Sequence, residues 1–424
     1  MNGLETAAGK KTVTTVEQLV AVTQDAGVRQ ILVRGHLVDA PSVLLAPGQT
    51  LEGEGEGTTI AFARDTDGLQ LSSDNRIQNI HLDASADRRA IFNDTTVNGL
   101  GRIELRRIST TGRVQIIARD KVYSGHVDVD GLDIVAADAR GANERPQGYG
   151  VHVLQGAFTL WNQQPDGNVL ITADLIGLSA GRDGAPVRGG GIFVSGAGDK
   201  GGRLIVRRLE TDAVYSDGGI APGTADQISG GVFTLHGAHV DSVRNRGPVV
   251  TYGVNDMVLD NWGMVDRWTA EQKLTSHGPS GIGFVNFGVL QELKVKAPIE
   301  TFGQGARGFN VYTGTMDSAE FDRIITHADG AVGVQISRPI ARLVVHRGIE
   351  TFGGTGPSLV KGVVVSLSAI ALSIKPGGSV RAIEIDGGLK TNGAGVPPIE
   401  QQGAIDSLRV AGGCVAAGGG FGKT

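Results

Sequence analysis

Short runs in which apolar and polar residues alternate recur along most of the chain, separated by segments that contain glycine. In the C-terminal third, the runs 293–295 and 343–345 lead to the isoleucines Ile299 and Ile349. Alternation of this kind is typical of a half-buried β-strand. The runs are short, so the pattern predicts many short strands rather than a few long ones.

Two sequence markers recur in the C-terminal third with one constant step. The first is a glycine followed by an apolar residue, at Gly283, Gly308 and Gly333, and so at every 25th position. The second is an isoleucine–threonine segment, at 299–303, 324–328 and 349–353. A unit of this size is too small for a propeller blade and lacks the helical segment of other repeats. It fits one coil of a parallel β-helix, in which each strand pairs with its counterpart one coil away.

Residues 1–30 form a predicted N-terminal cap segment. Residues 15–18, Thr-Val-Glu-Gln, are typical of a capping box, and Leu19, Val20 and Val22 follow at helical spacing. A short helix here would cover the open end of the solenoid, which is otherwise an aggregation hazard. We expect residues 31–412 to form one β-helix domain and residues 413–424 a flexible glycine-rich tail.

The segment after the predicted helix carries a resemblance to a known superfamily. Residues 46–53, Ala-Pro-Gly-Gln-Thr-Leu-Glu-Gly, contain a Pro-Gly turn and a Leu-x-Gly step. The cap helix, strand, turn and step together resemble the pectin-lyase-like proteins. The resemblance covers roughly residues 12–412 and implies an all-β fold, a right-handed parallel β-helix solenoid. It also implies a carbohydrate-active function. The aspartate cluster and arginine motif of pectate lyases and the signatures of polygalacturonases are not recognisable in the sequence.

Composition supports the solenoid and removes several other classes. Sixty-six of 424 residues are glycine, which suits tight corners on every coil. The net charge is −5, so we expect no nucleic-acid partner. Cys414 is the only cysteine, and no membrane insertion is expected because no long apolar run exists. The first residues do not read as a signal peptide. The protein would be secreted or periplasmic if a leader was removed, and cytoplasmic otherwise.

The coils between about residues 144 and 280 are predicted to carry long loops. The marker Thr301 lies seven positions before the next coil's Gly308, whereas Thr211 lies twenty positions before Gly231. Insertions at one position of a repeat stack on one face, often the binding face. Neutral variation in loop length is the alternative interpretation.

The predicted site residues lie in this stretch. Glycoside cleavage needs two carboxyl groups, one as acid and one as nucleophile or base. The candidate catalytic residues are Asp256, Asp260, Asp266 and Glu271. Rings that stack on sugars and side chains that bind hydroxyls give the candidate substrate-binding residues Tyr252, Trp262, Trp268, Arg244, Arg246, His277 and Trp161. Strand alternation places Asp256 and Asp260 on one face if the strand stays straight through Val258. Turn capping for the acids and corner filling for the tryptophans are the structural alternatives.

We therefore predict a carbohydrate-active β-helix protein that cleaves or rearranges a poly- or oligosaccharide in a groove along one sheet. Acidic and aromatic residues dominate the loop region, which favours a glycoside hydrolase or transglycosylase. A polysaccharide lyase is the first alternative, since arginines and histidines could supply a cation and a base. No metal site or cofactor is predicted, and calcium is expected only for a lyase. A non-catalytic β-helix of the tail-fibre or adhesin type, as a homo-oligomer such as a trimer, is the alternative of another class.

Overall fold

The computed structural model describes residues 9–360 and 362–417. Strands account for 58 % of the chain and helix for 2 %, and successive coils pair in parallel register along nearly the whole chain. The predicted all-β parallel β-helix is confirmed. The strands stack in three columns, called faces 1, 2 and 3. Five long strands turn from face 1 into face 2 without a break.

The strands divide among the columns as follows. The strands of face 1 are Lys10–Val13, Gln30–Val33, Thr50–Gly53, Ala238–Asn245, Met264–Ala270, Val289–Val295, Thr315–Phe321, Pro339–Val345, Ser379–Ile385 and Ala404–Val410. The strands of face 2 are His36–Ala40, Thr59–Phe62, Val187–Arg188, Val249–Thr251, Leu274–Ser276, Ile299–Thr301, Ile324–Thr326, Ile349–Thr351, Leu389–Thr391 and Cys414–Ala416. The long strands shared by both are Arg76–Asp83, Arg102–Thr111, Ser124–Ala136, Leu170–Ala180 and Arg203–Asp217. The strands of face 3 are Val43–Leu44, Leu69–Leu71, Arg89–Asn93, Arg113–Ala118, Gly156–Asn162, Gly190–Ser195, Gln227–Thr234, Asp256–Asn261, Ile282–Asn286, Arg307–Val311, Val332–Ile336, Leu372–Ile374 and Ile399–Gln401.

The sequence repeat corresponds to one coil of the solenoid. On face 2, Leu274, Ile299, Ile324 and Ile349 pair in one register column, each with its counterpart in the next coil. Their side chains are buried in the core, where identical positions of successive coils stack. The repeat thus sets both the strand pairing and the packing of the interior.

The short helix Val16–Thr23 covers the first coil as predicted. The side chain of Thr15 accepts a hydrogen bond from the backbone N–H of Gln18 at 3.3 Å, and the Gln18 side chain accepts one from Thr14 N at 2.8 Å. These bonds satisfy donors that a helix start leaves open. Leu19 points into the core with no exposed surface, which fixes the helix over the end of the solenoid.

Within the described residues, two excursions from the coils cover part of the outer side of face 3. One is the antiparallel pair Gln147–Gly148 and Val151–Val153, and the other is the hairpin Thr355–Val360 and Val363–Ser368. The hairpin is fastened to face 3, because Ser358 Oγ donates to Gly305 O at 2.7 Å and Leu359 N donates to Ser280 Oγ at 3.1 Å. Beneath the excursions lies a second apolar cluster, outside the solenoid core.

The C-terminal boundary of the solenoid lies beyond the expected one. Residues 413–424 were expected to be a flexible tail, but Cys414–Ala416 pairs with Leu389–Thr391 as a further face 2 strand. Residues 418–424 lie outside the described residues. Within the described ranges, no helix is both long and apolar enough to cross a membrane.

Candidate functional site

A groove of about 520 Å³ runs across five coils at the corner between faces 3 and 1. Its floor contains Tyr149, Trp262 and Phe287, and its sides contain His236 and His239. Trp262 and Phe287 occupy the same position of successive coils, directly after the face 3 strands Asp256–Asn261 and Ile282–Asn286. The coil repeat therefore places them in a row along the groove.

Tyr149 reaches this row from the first excursion rather than from the repeat. Its ring stacks on Phe287 with centroids 4.4 Å apart and meets the edge of Trp262 at 5.0 Å. Its φ of 51° lies in the left-handed region, which a bulky side chain rarely adopts. The ring contacts hold the backbone in this conformation, and such local strain is often found where a site must be positioned.

The walls of the groove carry charged and polar groups. Asp199 Oδ1 lies 3.7 Å from His236 Nδ1, and Arg203 lines the same side. Burial lowers the pKa of His236 below its ordinary value, so its imidazole is mainly neutral near pH 7. Rings on the floor and hydrogen-bonding groups on the walls are the combination expected for a groove that binds a polar ligand with apolar faces.

One of the predicted catalytic residues, Asp266, belongs to a three-residue cluster beside this groove. His239 Nε2 lies 3.0 Å from Asp266 Oδ1 and 3.9 Å from Asp241 Oδ1. One carboxylate oxygen of Asp241 and one of Asp266 lie within 4.8 Å of each other. These three donors are fewer than the six to eight oxygens that calcium takes.

Asp256, also predicted to be catalytic, is fully buried as the first residue of its face 3 strand. Its Oδ2 accepts hydrogen bonds from the backbone N–H groups of Gly218 at 3.0 Å and Gly253 at 2.8 Å. Burial raises the pKa of Asp256 to about 7, and the two N–H donors oppose that rise. A Cβ atom at position 253 would lie 2.5 Å from Asp256 Oδ2, so glycine is needed for this close approach.

Asp260 is fully buried as well, but it lies on the outer side of face 3 beneath the excursions. The alternation expected through Val258 is interrupted, because Val258 and Leu259 both point into the core. Asp256 and Asp260 therefore do not share a face, and no residue is common to their hydrogen-bonding or cavity contacts. The expected pair of carboxylates is not assembled by this strand.

The remaining charged candidates are engaged in ion pairs on the outer surface. Arg244 Nη2 donates to Glu271 Oε1 at 2.8 Å, and this bond lowers the pKa of the Glu271 carboxyl. Arg246 lies 3.4 Å from Glu210 and 3.2 Å from Asp212. None of these residues lines the groove.

Tyr252 and His277 lie on the other side of the coil, directly after the face 2 strands. Their rings stack with centroids 5.1 Å apart, and the stack continues along the solenoid through Phe302, His327 and Phe352. The Tyr252 hydroxyl donates to Asp183 Oδ1 at 3.1 Å. In this stack the faces of the inner rings are occupied by neighbouring rings, so only their edges are open to a ligand.

The three tryptophans have different environments. Trp262 is 2 % exposed and lines the groove. Trp268 has no exposed surface and donates from Nε1 to Asn245 Oδ1 at 2.8 Å inside the core, where no external substrate reaches it. Trp161 is partly exposed and donates to Gly196 O at 3.0 Å, outside the groove lining.

Six groove residues were not among the predicted site residues, although the sequence places Tyr149 among the aromatic residues of the loop region and His236 and His239 among the groups that a lyase could use. They are Tyr149, Asp199, Arg203, His236, His239 and Phe287. A signal existed for two of them. Phe287 follows Trp262 by the same step that separates the sequence markers, so the repeat alone could have extended the tryptophan into a row. His239 precedes Asp266 by 27 positions, about one coil. Tyr149 carries no such signal because it belongs to an excursion.

A larger groove of about 840 Å³ lies beside the first coils. It is lined by Glu52, Glu54 and His81, and its described lining contains no tryptophan, tyrosine or phenylalanine. Glu54 is paired with Arg34 at 2.9 Å. Without rings for stacking, this groove offers less to a carbohydrate than the ring-lined groove does.

Comparisons with protein-family models, with curated proteins and with solved structures found no match to this chain. Membership of the pectin-lyase-like superfamily therefore stays a prediction from the sequence.

Proposed function

We propose that this protein binds an oligo- or polysaccharide in the ring-lined groove and cleaves or rearranges it there. The observation that carries the proposal is the row of Tyr149, Trp262 and Phe287 along a groove whose walls hold charged groups. Phe287 stacks with both Tyr149 and Tyr312, so the row offers apolar ring edges to a sugar. A groove that crosses five coils suits a chain of several sugar units. Asp199, Arg203 and His236 are placed to bind hydroxyl groups.

The cluster beside the groove supplies groups for a cleavage step. Asp241 and Asp266 follow His239 and Met264 by two positions in their strands, so they continue the same outward row. Their oxygens lie within 4.8 Å of each other, near the roughly 5 Å between the two carboxyl groups of retaining glycosidases. One acid would protonate the leaving oxygen, and the other would attack the anomeric carbon. His239, hydrogen-bonded to Asp266, would hold that carboxylate in place.

A non-catalytic binding role is the second candidate, and a specific observation favours it. A histidine paired with a carboxylate also occurs elsewhere along the solenoid. His346 directly follows a face 1 strand, and its Nε2 lies 3.0 Å from Glu320 Oε1. The His239–Asp266 contact has the same length, so it fits a recurring surface pair as well as a catalytic one. In that case the groove would bind sugar without reacting.

Binding is tested by affinity electrophoresis against neutral and uronate polysaccharides. The informative variant is Phe287→Ala, and its matched control is Phe352→Ala, which removes a ring 44 % exposed on face 2. We expect Phe287→Ala to weaken binding at least tenfold and Phe352→Ala to leave it unchanged. If no polysaccharide binds, or both variants bind like the unmodified protein, the groove assignment is wrong.

Turnover is tested by following reducing ends and the absorbance of unsaturated products separately. Asp266→Asn is expected to abolish the release of reducing ends while binding persists, and Glu320→Gln, which alters the equivalent pair, should have no effect. Unsaturated products would indicate a lyase instead. Binding without either product would support the non-catalytic candidate.

A further inference from the structure

Asp260 lines a separate cavity of about 50 Å³ on the outer side of face 3. The floor is the face 3 strand that carries Met257 and Asp260, and the cover is formed by Val151 of the first excursion and by Leu359 and Gly362 of the hairpin. The cavity thus lies on the far side of the aromatic row from the groove, with Tyr149, Trp262 and Phe287 common to both.

The Asp260 carboxyl has no hydrogen-bond partner of normal geometry among the described residues. It is fully buried, and the nearby Trp262 Nε1 also lacks a partner of such geometry. Asp256, in the same strand, differs because two backbone N–H groups satisfy its Oδ2. An ionised carboxylate buried without a partner is costly, so the site would be stabilised by a ligand that provides positive charge.

The remaining walls are aromatic rings and the aliphatic side chains of Ile228 and Ile282. Tyr149, Trp262, Phe287 and Tyr312 contribute rings, and the only other polar side chain of the described lining is Ser280. Ser280 Oγ already accepts a hydrogen bond from Leu359 N. One carboxyl group cannot provide the six to eight oxygens of a calcium site or the three to four ligands of a zinc site. Aromatic rings around one carboxylate are suited instead to an organic cation.

We propose that the Asp260 cavity binds a small organic cation with Asp260 as its counter-ion. The cation would be a primary ammonium ion of the size of methylammonium. Volume supports a small ligand, because one water molecule needs about 10–15 Å³ of such space and the cavity offers about 50 Å³. The ammonium donates to the Asp260 oxygens, and a methyl group packs against the rings. A tetramethylammonium ion has no N–H group to donate to the Asp260 oxygens.

Binding is coupled to the release of one proton. Without a cation, burial raises the pKa of Asp260 well above its ordinary value, and the Trp262 indole only partly opposes the rise. Burial therefore favours the protonated form of Asp260. An ammonium ion that binds favours the carboxylate, and the proton leaves to solvent. The affinity should therefore increase with pH until Asp260 ionises without ligand.

Other titratable groups around the cavity do not replace Asp260 in this role. Tyr149 and Tyr312 line it, and burial raises the pKa of Tyr149, so that phenol stays neutral near pH 7. Arg307 lies behind Tyr312 with its guanidinium carbon 5.9 Å from the ring centroid. His236 lies behind Trp262 at 5.3 Å between ring centroids, and burial lowers its pKa.

In the test, the full-length protein is titrated with methylammonium chloride in a calorimeter. The titration is repeated in buffers of different ionisation enthalpy to measure proton release. We expect saturable binding, release of about one proton per site, and a loss of at least tenfold in affinity for Asp260→Asn. Asp256→Asn is the matched control, since it alters another buried acid of the same strand and should leave affinity unchanged. Sodium chloride and tetramethylammonium chloride should not compete.

Thermal unfolding establishes that Asp260→Asn is folded, and we expect it to be at least as stable as the unmodified protein because a buried ionisable group is removed. If Asp260→Asn unfolds, Asp260→Ser provides the same measurement with a small neutral side chain. Equal affinity in a folded Asp260 variant, or binding without proton release, would mean that the cavity holds water only and would overturn the proposal.

Discussion

Glu300 and Glu320 in the regular coils, residues 283–351, and Asp256 and Asp260 in the loop-bearing coils, residues 144–280, have opposite electrostatic environments. In the regular coils, His327 and Lys273 hold the pKa of Glu300 below its ordinary value although burial opposes them. Bonds to His346 and Lys294 do the same for Glu320. In the loop-bearing coils, burial raises the pKa of Asp256 and Asp260.

The difference in pKa follows from the difference in coil length between the two regions. Where the coils keep a constant length, an acid lies beside the bases of neighbouring coils, as Glu300 Oε1 lies 2.7 Å from His327 Nε2. Where the excursions cover the outer side of face 3, Asp260 beneath them loses contact with solvent and has no ion-pair partner among the described residues. Regular repetition therefore stabilises charges, while irregular cover leaves them available for a ligand.

Gly303 in the regular coils packs tightly against the coil before it. A Cβ atom at Gly303 would overlap the backbone oxygen of Gly278 in the preceding coil. We expect Gly303→Ala to lower the free energy of unfolding by about 5 kcal/mol, because the backbone has to shift. The exposed Gly141 has open space at its Cβ position, so Gly141→Ala should change stability by less than about 0.5 kcal/mol. Urea unfolding measures both.

We expect the next largest loss in the free energy of unfolding when a tryptophan is replaced. Trp268→Ala should cost about 4 kcal/mol, since it empties a fully buried core position. Trp161→Ala should cost about half as much because that side chain is partly exposed. Similar losses in the two variants would contradict the assignment of Trp268 to the core and Trp161 to the outside.

The pH dependence of stability should have opposite sign in the two regions. Asp256 has a folded pKa of about 7 against about 3.9 when unfolded, so the native state binds more protons between these values. Its contribution to stability falls as the pH rises from 4 to 7. Asp256→Asn should therefore gain stability over the unmodified protein, up to roughly 4 kcal/mol above pH 7, and none at pH 4. Thermal unfolding at both pH values compares the two proteins.

Glu300→Gln is the counterpart from the regular coils. Because the folded pKa of Glu300 is lowered, its contribution is present above its unfolded pKa and is lost as the pH falls through the folded value. The variant should lose about 1 kcal/mol at pH 7 and nothing at a pH where the carboxyl is protonated in both states. A gain in stability at pH 7 would remove the contrast between the regions.

The solenoid was largely predictable because a repeat acts locally. Ile299, Ile324 and Ile349 repeat at one spacing, and each needs only its neighbours one coil away to be placed. The helix Val16–Thr23 was predictable for the same reason, since its capping residues are adjacent in sequence.

The candidate site was less predictable because it joins distant segments. The hairpin Thr355–Val360 and Val363–Ser368 left one signal in the sequence, because it lengthens the interval between two paired face 2 residues. Ile349 and Leu389 are farther apart in sequence than Ile324 and Ile349 are. That longer interval shows an insertion but not the face on which it lies. Straight alternation also failed at Val258, where two successive side chains point inward, and so Asp256 and Asp260 were wrongly expected to share a face.

The sequence by itself determined the period, the parallel stacking of coils and the interior, because these depend on which residues recur once per coil. Only the tertiary structure decided which acids are paired and which are buried alone. Tyr149 meets Phe287 and Leu359 reaches Ser280 across long stretches of chain. Such contacts depend on where excursions fold back on the solenoid, and no local pattern encodes that position.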